Sequence, residues 1–98
     1  MTAQLHLPPH ATVVRNPGQV SADVDGEVVV LSIDNGRYYS MDEVGSRIWA
    51  LVERPISVTA LIDLLLGEFE VEREICQEEV LAFLRELHAD GLVQISDV

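Results

Sequence analysis

Hydrophobic residues between Val13 and Met41 follow one another at the short spacing of β-strands, and two dipeptides interrupt them. Asp25-Gly26 and Asn35-Gly36 each separate two runs rich in β-branched or aromatic residues, and such dipeptides are strong signals for a β-hairpin. The pattern therefore predicts a three-stranded antiparallel meander. Its strands are QVSADVD, EVVVLSI and RYYSM, and an extended segment, VVR, precedes them.

After Met41 the hydrophobic spacing changes to that of helices. Ser40 and Glu43 match a capping box, in which the serine oxygen accepts a backbone N–H and the glutamate carboxylate accepts the serine's own N–H. A first helix is therefore expected from about Met41, and Arg54-Pro55 ends it. Its apolar face consists of Val44, Ile48, Leu51 and Val52, with Trp49 at the edge.

Two more helices follow in the pattern. Ser57 is a suitable cap for a second helix, VTALIDLLL, which stops near Gly67, and a third helix is expected over residues 73–90 with Gly91 as its stop. The apolar face of the third helix contains Cys76, Val80, Phe83, Leu84 and Leu87. A last run, LVQI, suits a short closing strand. The order predicts an α+β, winged-helix-like domain with a three-stranded antiparallel sheet followed by three helices.

The strand RYYSM raises the question of what covers its outer edge. A two-residue loop at Asn35-Gly36 would pair Ile33 with Tyr38 and would leave both faces of the hairpin partly apolar. An edge strand exposes unpaired N–H and C=O groups, and this strand has only Arg37 to protect it. The third helix, the VVR segment or a second copy of the chain would cover the edge. Alternatively, an extended peptide would add to it as a further strand.

Ninety-eight residues suffice for one domain with one core. We expect a flexible N-terminal segment at residues 1–12, which contains two prolines and no periodicity, and one folded domain at residues 13–98. No apolar run approaches the roughly 18 residues that a membrane span needs. The N-terminus lacks a basic start followed by an apolar block, so no secretory signal is expected and the cytoplasm is the expected location.

The charge of the chain narrows the choice of partners. Its six basic residues are all arginine, and seventeen Asp and Glu residues give a formal net charge of −11. Nucleic acid is therefore not an expected partner, and a winged-helix transcription factor in particular would need a basic third helix, whereas this one is rich in glutamate. Residues 57–98 carry −8 of the charge, so a basic ligand would be drawn to the C-terminal half.

A cluster of acidic residues surrounds the start of the third predicted helix. Carboxylates at this position are favourable against the helix dipole and form a solvated face. The same cluster also suits the docking of lysines from a partner, and both explanations stay open. The cluster consists of Glu68, Glu70, Glu72, Glu74, Glu78 and Glu79, interrupted by Arg73.

Candidate catalytic groups are few. Cys76 and His88 lie twelve residues apart on one predicted helix, which separates them by about 18 Å, so they cannot share a proton. Cys76 suits the role of a small core residue. His6 and His10 have i, i+4 spacing, but the two prolines between them prevent the helix that would bring them together. We therefore expect no enzymatic activity, no metal site and no cofactor.

The stretch from about Val13 to Val93 resembles the PqqD-like family, whose members are also called RiPP recognition elements. Three blocks carry the resemblance, in the order and spacing of the family: VVVLSIDNGRYYSMDEVGSRIWALVE, ISVTALIDLLLGEFEVE and VLAFLRELHADGLV. The resemblance implies a non-catalytic protein that binds the leader segment of a ribosomally made precursor peptide. In the family, the leader adds as a strand to the third β-strand and packs against the third helix.

Carried over to this chain, the resemblance implies a peptide-binding site on the third strand and the third helix. Its residues would be Arg37, Tyr38, Tyr39, Ser40 and Met41 on the strand, with Glu78, Leu81, Leu84, Arg85 and His88 on the helix.

Within the family, the chain is most similar to the free-standing leader-binding proteins of lasso-peptide biosynthesis. This implies a leader peptidase, and possibly a cyclase, as partners besides the precursor peptide. The alternative is a PqqD-type chaperone that presents its precursor to a radical-SAM enzyme in pyrroloquinoline quinone biosynthesis. The chain itself is expected to be a monomer or a weak homodimer with no membrane partner.

Overall fold

The structure, a computed structural model, describes Pro8 and residues 10–96. The predicted α+β class is confirmed, since a three-stranded antiparallel sheet precedes three helices. In chain order the elements of these residues are β1 (Thr12–Arg15), β2 (Gln19–Val24), β3 (Glu27–Ser32), β4 (Tyr38–Ser40), α1 (Glu43–Leu51), β5 (Ile56–Ser57), α2 (Val58–Glu68), α3 (Arg73–Ala89) and β6 (Val93–Ser96).

The strands form two antiparallel sheets. β2, β3 and β4 make the predicted meander in that order. β1, the predicted VVR segment, pairs instead with β5 on one side and with β6 on the other. Consequently β1 does not cover the edge of β4, and none of the described strands does. β6 is the closing strand that the LVQI run predicts.

The folded part of the chain begins ahead of residue 13. Thr12 is the first residue of β1, and Ala11 is fully buried. Ala11 also forms two backbone hydrogen bonds: its N–H donates to Pro8 O, and its carbonyl accepts the N–H of Val58. Residues 1–7 and 9, the rest of the segment predicted to be flexible, lie outside the described residues.

The two hairpin loops of the meander differ in length. Asp25 and Gly26 connect β2 to β3 with φ angles of 55° and 87°, as a two-residue type I′ turn requires. The loop between β3 and β4 is longer, because Ser32 N–H donates to Arg37 O at 3.0 Å and Gly36 N–H donates to Ser32 O at 2.8 Å. The predicted two-residue loop at Asn35-Gly36 is therefore wrong.

The longer loop shifts the pairing of β3 with β4 by two residues. Leu31 lies opposite Tyr38, where the sequence predicted Ile33. Asn35 explains the longer loop, since its side-chain oxygen accepts the N–H of Arg37 at 2.9 Å and so closes a turn within the loop. Because side chains alternate with a period of two, a shift of two leaves every residue of β4 on its predicted face.

The first helix begins later than predicted. Its cap is Asp42, whose carboxylate accepts the N–H of Gly45 at 2.8 Å, and the capping box of Ser40 with Glu43 does not form. The reason is that Met41 still belongs to the sheet, because its N–H donates to Val28 O at 2.9 Å. Two further predicted signals at helix ends are confirmed: Ser57 caps α2 by accepting Ala60 N–H, and Gly91, at φ 77°, lies just beyond α3.

The core lies between the helices and the inner faces of both sheets. Large side chains with at most 1% exposure hold it together, namely Val13, Val30, Val52, Leu61, Leu65, Val80, Leu84 and Leu92. Cys76 is buried among them, as predicted for a small core residue. None of the helices in the described residues is long and apolar enough to cross a membrane.

Trp49 is part of this core, although the sequence placed it at the edge of the apolar face of α1. Only 2% of its surface is exposed. The guanidinium of Arg15 lies 4.5 Å from the ring centroid, and Arg15 Nε donates to the Trp49 carbonyl at 2.9 Å. Burial lowers the pKa of Arg15 below its ordinary value. This contact ties β1 to α1.

Candidate functional site

β4 is an end strand of the meander, and its pairing decides which backbone groups point outward. Antiparallel strands alternate between residue pairs that exchange hydrogen bonds and pairs that do not. Bonds from Ser32 N–H to Arg37 O and from Met41 N–H to Val28 O fix the alternation, so Arg37, Tyr39 and Met41 face β3. The N–H and C=O groups of Tyr38 and Ser40 therefore point away from the sheet, where no described strand lies.

A groove runs beside these open backbone groups. Its volume is about 390 Å³, and it separates β4 from the C-terminal half of α3. The groove therefore offers an unpaired strand edge together with a partly apolar helical wall, which is the combination that peptide binding by strand addition requires. The lining residues are Arg37, Tyr39, Ser40 and Met41 from β4 and its flanks, and Phe83, Glu86, Leu87, Ala89 and Asp90 from α3 and its C-terminal end.

The hydroxyl of Ser46 fastens the end of β4 to α1. It accepts the N–H of Val28 at 2.8 Å and donates to the carbonyl of Met41 at 3.1 Å. The hydroxyl thus takes the place of a direct bond between these two backbone groups in the ladder of β3 with β4. Ser46 is only 8% exposed, so both bonds lie in a poorly solvated environment and position the strand firmly.

A polar cluster holds the loop at the other end of β4 near the end of α3. The side-chain nitrogen of Asn35 donates to Tyr39 Oη at 3.1 Å and to the Asp90 carbonyl at 3.4 Å. Arg37 approaches the carboxylate of Asp90 at 3.8 Å and lies 5.9 Å from the centre of the Tyr39 ring. The groove is therefore bounded at this end by the β3–β4 loop.

The groove has acidic side chains on its helical wall. Glu86 and Asp90 line it from α3, whereas Arg37 supplies the one positive charge of the lining. Arg37 pairs with Asp90. Of the two carboxylates that line the groove, Glu86 is therefore the one with no described ion pair. An uncharged or basic peptide suits this wall better than an acidic one.

The outer face of the meander is apolar, and the described residues leave it exposed. Tyr38, Leu31 and Val20 form one row across the three strands, and Tyr38 and Val20 are 73% and 54% exposed. Val24 and Ile33 extend the patch at 54% and 62% exposure. Large exposed apolar patches mark interaction surfaces, so this face is a candidate for one.

Comparison with known proteins identifies the family. The family model described as "Coenzyme PQQ synthesis protein D (PqqD)" matches residues 27–93, which is more than half of the chain. The chain belongs to the PqqD family. It is a PqqD-like RiPP recognition element, as the sequence predicted. Among curated proteins no match is found.

Two solved structures are similar to this PqqD-like chain. TbiB1, in complex with the TbiA(beta) leader peptide, is 34% identical, with a TM-score of 0.76, over 83% of this chain and 94% of TbiB1. Lasso peptide synthetase B1, in complex with its leader peptide, is 22% identical, with a TM-score of 0.73, over 84% of this chain and 96% of the other. The second likeness concerns the fold alone.

The PqqD-like structure brings together part of the predicted site. Arg37, Tyr39, Ser40 and Met41 line the groove, whereas Tyr38 contributes its outward backbone and turns its side chain to the outer face. Of the predicted helix residues, Leu84 is fully buried in the core and Leu81 is half-buried. Glu78, Arg85 and His88 are exposed and do not line the groove.

The helical wall consists of residues that the sequence did not select as site residues. Phe83 and Leu87 were assigned to the core face of α3, and they do belong to it, but this face is wide enough to reach the groove as well. Phe83 and Leu87 have i, i+4 spacing, and so do Glu86 and Asp90 beside them. The sequence therefore showed where the apolar face of α3 meets its polar face, and this boundary was the available signal.

The reactive side chains lie apart from the groove. Cys76 is buried, and its burial, followed by the charge of Glu79, raises the pKa of its thiol above the ordinary value. His88 and His10 are exposed, and His6 lies outside the described residues. In the part of the chain that the structure describes, no three His, Cys, Asp or Glu residues converge as metal ligands.

Proposed function

We propose that this PqqD-like protein binds the leader region of a ribosomally synthesised precursor peptide, without catalysing a reaction, by adding the leader as a strand to β4. The observation that carries the proposal is the pair of outward-facing residues, Tyr38 and Ser40, beside a groove that α3 completes. The likeness to TbiB1, which was solved with a leader peptide, supports it.

The groove explains why the side chains of the leader matter as well as its backbone. Tyr38 and Ser40 offer four backbone hydrogen bonds, which contribute about 4 kcal/mol in total at about 1 kcal/mol net each. Ordering a flexible peptide costs about 2–5 kcal/mol, so these bonds alone leave almost no affinity. Every second side chain of the leader points to the same face of the sheet as Tyr39. These side chains must therefore be buried against Phe83 and Leu87.

The decisive measurement is amide exchange in the protein with and without peptide. The probe is a synthetic leader of the precursor encoded beside this protein's gene. We expect the N–H groups of Tyr38 and Ser40 to exchange at least tenfold more slowly when the peptide is bound, whereas Ser21, on the opposite edge of the sheet, stays unchanged. Slower exchange at Ser21 alone, or a bound peptide with no effect on β4, would exclude strand addition to β4.

The proposal includes delivery of the bound precursor to a leader peptidase and then to modifying enzymes of lasso-peptide type. The outer face of the meander supports this step, because Tyr38 connects it to the strand that holds the leader and its exposed apolar side chains suit a protein partner. The expected location is the cytoplasm, where ribosomes make the precursor.

Delivery is tested separately from leader binding. Val20→Glu places a charge on the outer face, and Ser21→Glu places the same charge on the neighbouring residue of β2, whose side chain points to the other face. With the peptidase encoded in the same gene cluster, Val20→Glu should slow cleavage of the precursor at least tenfold and leave leader affinity within twofold. Equal cleavage by both variants would rule out the outer face as the docking surface.

The second candidate function is that of a PqqD-type chaperone for a radical-SAM enzyme of pyrroloquinoline quinone biosynthesis. The description of the matching family model favours it, whereas the resemblance of the sequence to free-standing leader-binding proteins of lasso-peptide biosynthesis favours the first. The genes beside this one distinguish the two, since a peptidase with a cyclase supports the first and a radical-SAM enzyme supports the second.

A further inference from the structure

β2 is the other outer strand of the meander. Its residues, Gln19–Val24, pair with β3 on one side, no described strand lies on the other side, and all of them except Gln19 are exposed. Edge strands are usually protected by lysine, proline, a bulge or charged side chains. Of these devices β2 has only the charge of Asp23, and its register with β3 is uninterrupted. The edge is therefore open to a further strand.

The hairpin loop decides which backbone groups of β2 are open. A two-residue loop makes Val24 and Glu27 a hydrogen-bonded pair. Pairs that exchange bonds alternate with pairs that do not, so every second residue counted back from Val24 faces β3. The remaining residues, Gln19, Ser21 and Asp23, direct their N–H and C=O groups away from the sheet.

These three residues are complementary to themselves when two copies of β2 run antiparallel. With Ser21 on the two-fold axis, it lies opposite Ser21 of the second copy, and Asp23 lies opposite Gln19 of the second copy. Three pairs then exchange two bonds each, about six in all. One oxygen of the Asp23 carboxylate accepts the N–H of Gly26, and the other can accept the Gln19 amide across the pair.

Neighbouring registers are poorer. A shift by two residues in one direction places Asp23 opposite Pro17, which has no N–H to donate. A shift in the other direction places Gln19 opposite Asp25, whose φ of 55° in the turn is not that of a strand. Either shift leaves two pairs that exchange bonds instead of three, so the register with Ser21 on the axis is favoured.

The distribution of charge also favours contact through β2. Residues 57–98, which contain α2 and α3, carry −8 of the net charge of −11, whereas β2 lies in the less acidic half. α3 lies beside β4, at the opposite edge of the same sheet. Pairing through β2 therefore keeps the acidic helices of two copies apart, and pairing through β4 would bring them together.

Contact through β2 covers apolar surface as well. Val20 and Val24 are each 54% exposed on the outer face, at the edge where the second copy would lie. In the favoured register Val20 lies opposite Ala22 of the second copy, so the apolar rows of the two outer faces meet. This burial adds to the backbone bonds.

We propose that β2 is a homodimerisation edge, at which a second copy adds its own β2 antiparallel with Ser21 on the two-fold axis. Two meanders of three strands then form one six-stranded sheet. β4 stays at both ends of this sheet, so the dimer does not depend on leader binding and each copy keeps its own groove. One strand pair buries little area and both copies are acidic, so the dimer is weak and forms at high protein concentration.

Sedimentation equilibrium of the full chain, up to millimolar concentration, tests the dimer. Its dissociation constant should fall at least threefold from low to high ionic strength, because salt screens the repulsion between the copies. Ser21→Pro removes an outward N–H and should weaken the dimer at least tenfold, whereas Ser21→Ala keeps this N–H and should weaken it less than twofold. A chain that stays monomeric throughout, or equal effects of the two variants, would overturn the proposal.

Substitutions of Gln19 test the register. Gln19→Lys places an ammonium opposite Asp23 of the second copy and should strengthen the dimer at least threefold, whereas Gln19→Glu should weaken it at least threefold. Gln77→Lys makes the same change of net charge at an exposed position of α3 and should alter the constant less than twofold. Equal effects of lysine at positions 19 and 77 would exclude contact at β2.

Amide exchange in the wild-type protein tests the edge without any variant. The N–H groups of Ser21 and Asp23 should exchange at least fivefold more slowly at high than at low protein concentration, and those of Tyr38 and Ser40 should not change. Slower exchange at Tyr38 and Ser40 instead would assign the dimer to β4. No effect of concentration on either edge would exclude pairing through the sheet.

Discussion

β2 and β4 are the two outer strands of one sheet, and they differ in what lies beside them. β2 is six residues long and nearly all of it is exposed, whereas β4 has three strand residues and lies along the groove with α3. Both edges leave backbone groups unpaired within the described residues. The difference makes β4, and not β2, the candidate edge for peptide binding, because α3 adds a wall for side chains beside it.

The two strands also differ in how firmly they are held. Ser46 fastens the end of β4 to α1, and Asn35 connects the loop before β4 to Tyr39 and to the end of α3. Among the described residues β2 pairs with β3 alone, and a bond from Gly26 N–H to the Asp23 side chain supports its turn. A strand held in place loses little freedom on binding, so β4 is the better template for a peptide.

The largest expected effect concerns this anchoring. Ser46→Ala leaves the N–H of Val28 and the carbonyl of Met41 without the hydroxyl between them, and both groups are poorly solvated. The free energy of unfolding should fall by about 1–3 kcal/mol, as measured by urea denaturation. Ser21→Ala, at an exposed position of β2, should change it by less than about 0.5 kcal/mol. Similar losses from the two variants would contradict the difference in anchoring.

Proline substitutions on the two edges of the sheet compare β4 with β2 as templates for the leader. Ser40 and Ser21 are exposed serines whose N–H groups point away from β3, so proline at either position removes no bond of the sheet. Ser40→Pro removes a donor that the leader would use, and affinity should fall about tenfold, or about 1.4 kcal/mol. Ser21→Pro should leave it within twofold. Isothermal titration with both variants measures the difference, and an equal loss would place the leader elsewhere.

Tyr39→Phe tests the support that the loop gives to β4. It removes the hydroxyl that accepts from Asn35, which should lower the free energy of unfolding by about 0.5–1 kcal/mol. Tyr38→Phe is the control, because the Tyr38 side chain is 73% exposed on the outer face. Thermal or urea unfolding of the pair measures the effect, and a larger loss from Tyr38→Phe would show that the hydroxyl bond contributes little.

The smallest expected effect is that of Arg37→Gln. The side chain of Arg37 is 66% exposed and approaches Asp90 at 3.8 Å, and solvent-exposed pairs of this kind contribute about 0–1 kcal/mol. We expect a change in unfolding free energy below about 0.5 kcal/mol that becomes smaller at high salt. A loss above about 1 kcal/mol, independent of salt, would mean that this pair anchors β4 as strongly as Ser46 does.

The fold was largely predictable because each element depends on local signals. Hairpin dipeptides, apolar spacing and the Ser57 cap determined the order of strands and helices, and these signals act over a few residues. The errors in the β3–β4 loop and at the start of α1 arose where two local signals competed. Asn35 supported a longer loop by binding the Arg37 N–H, and Met41 stayed in the sheet, which moved the helix cap from Ser40 to Asp42.

The candidate site was predictable on the strand and less so on the helix. The edge position of β4 follows from the order of the hairpins, so Arg37, Tyr39 and Met41 were accessible to sequence reasoning. The face of α3 that meets the groove depends on how the helix is rotated against the sheet. That rotation is set by packing of residues distant in the chain, such as Leu84 against the core, and no local pattern reports it.

The brevity of β4 has a consequence for evolution and for engineering. Under the proposed function, main-chain pairing at Tyr38 and Ser40 would be indifferent to the identity of the guest residues, so the strand could stay the same while the guest changes. Discrimination between guests must then reside in the neighbouring walls, where single substitutions alter shape without disturbing the ladder. Proteins of this fold can therefore change their peptide specificity through substitutions in those walls. A designer can retarget the module in the same manner.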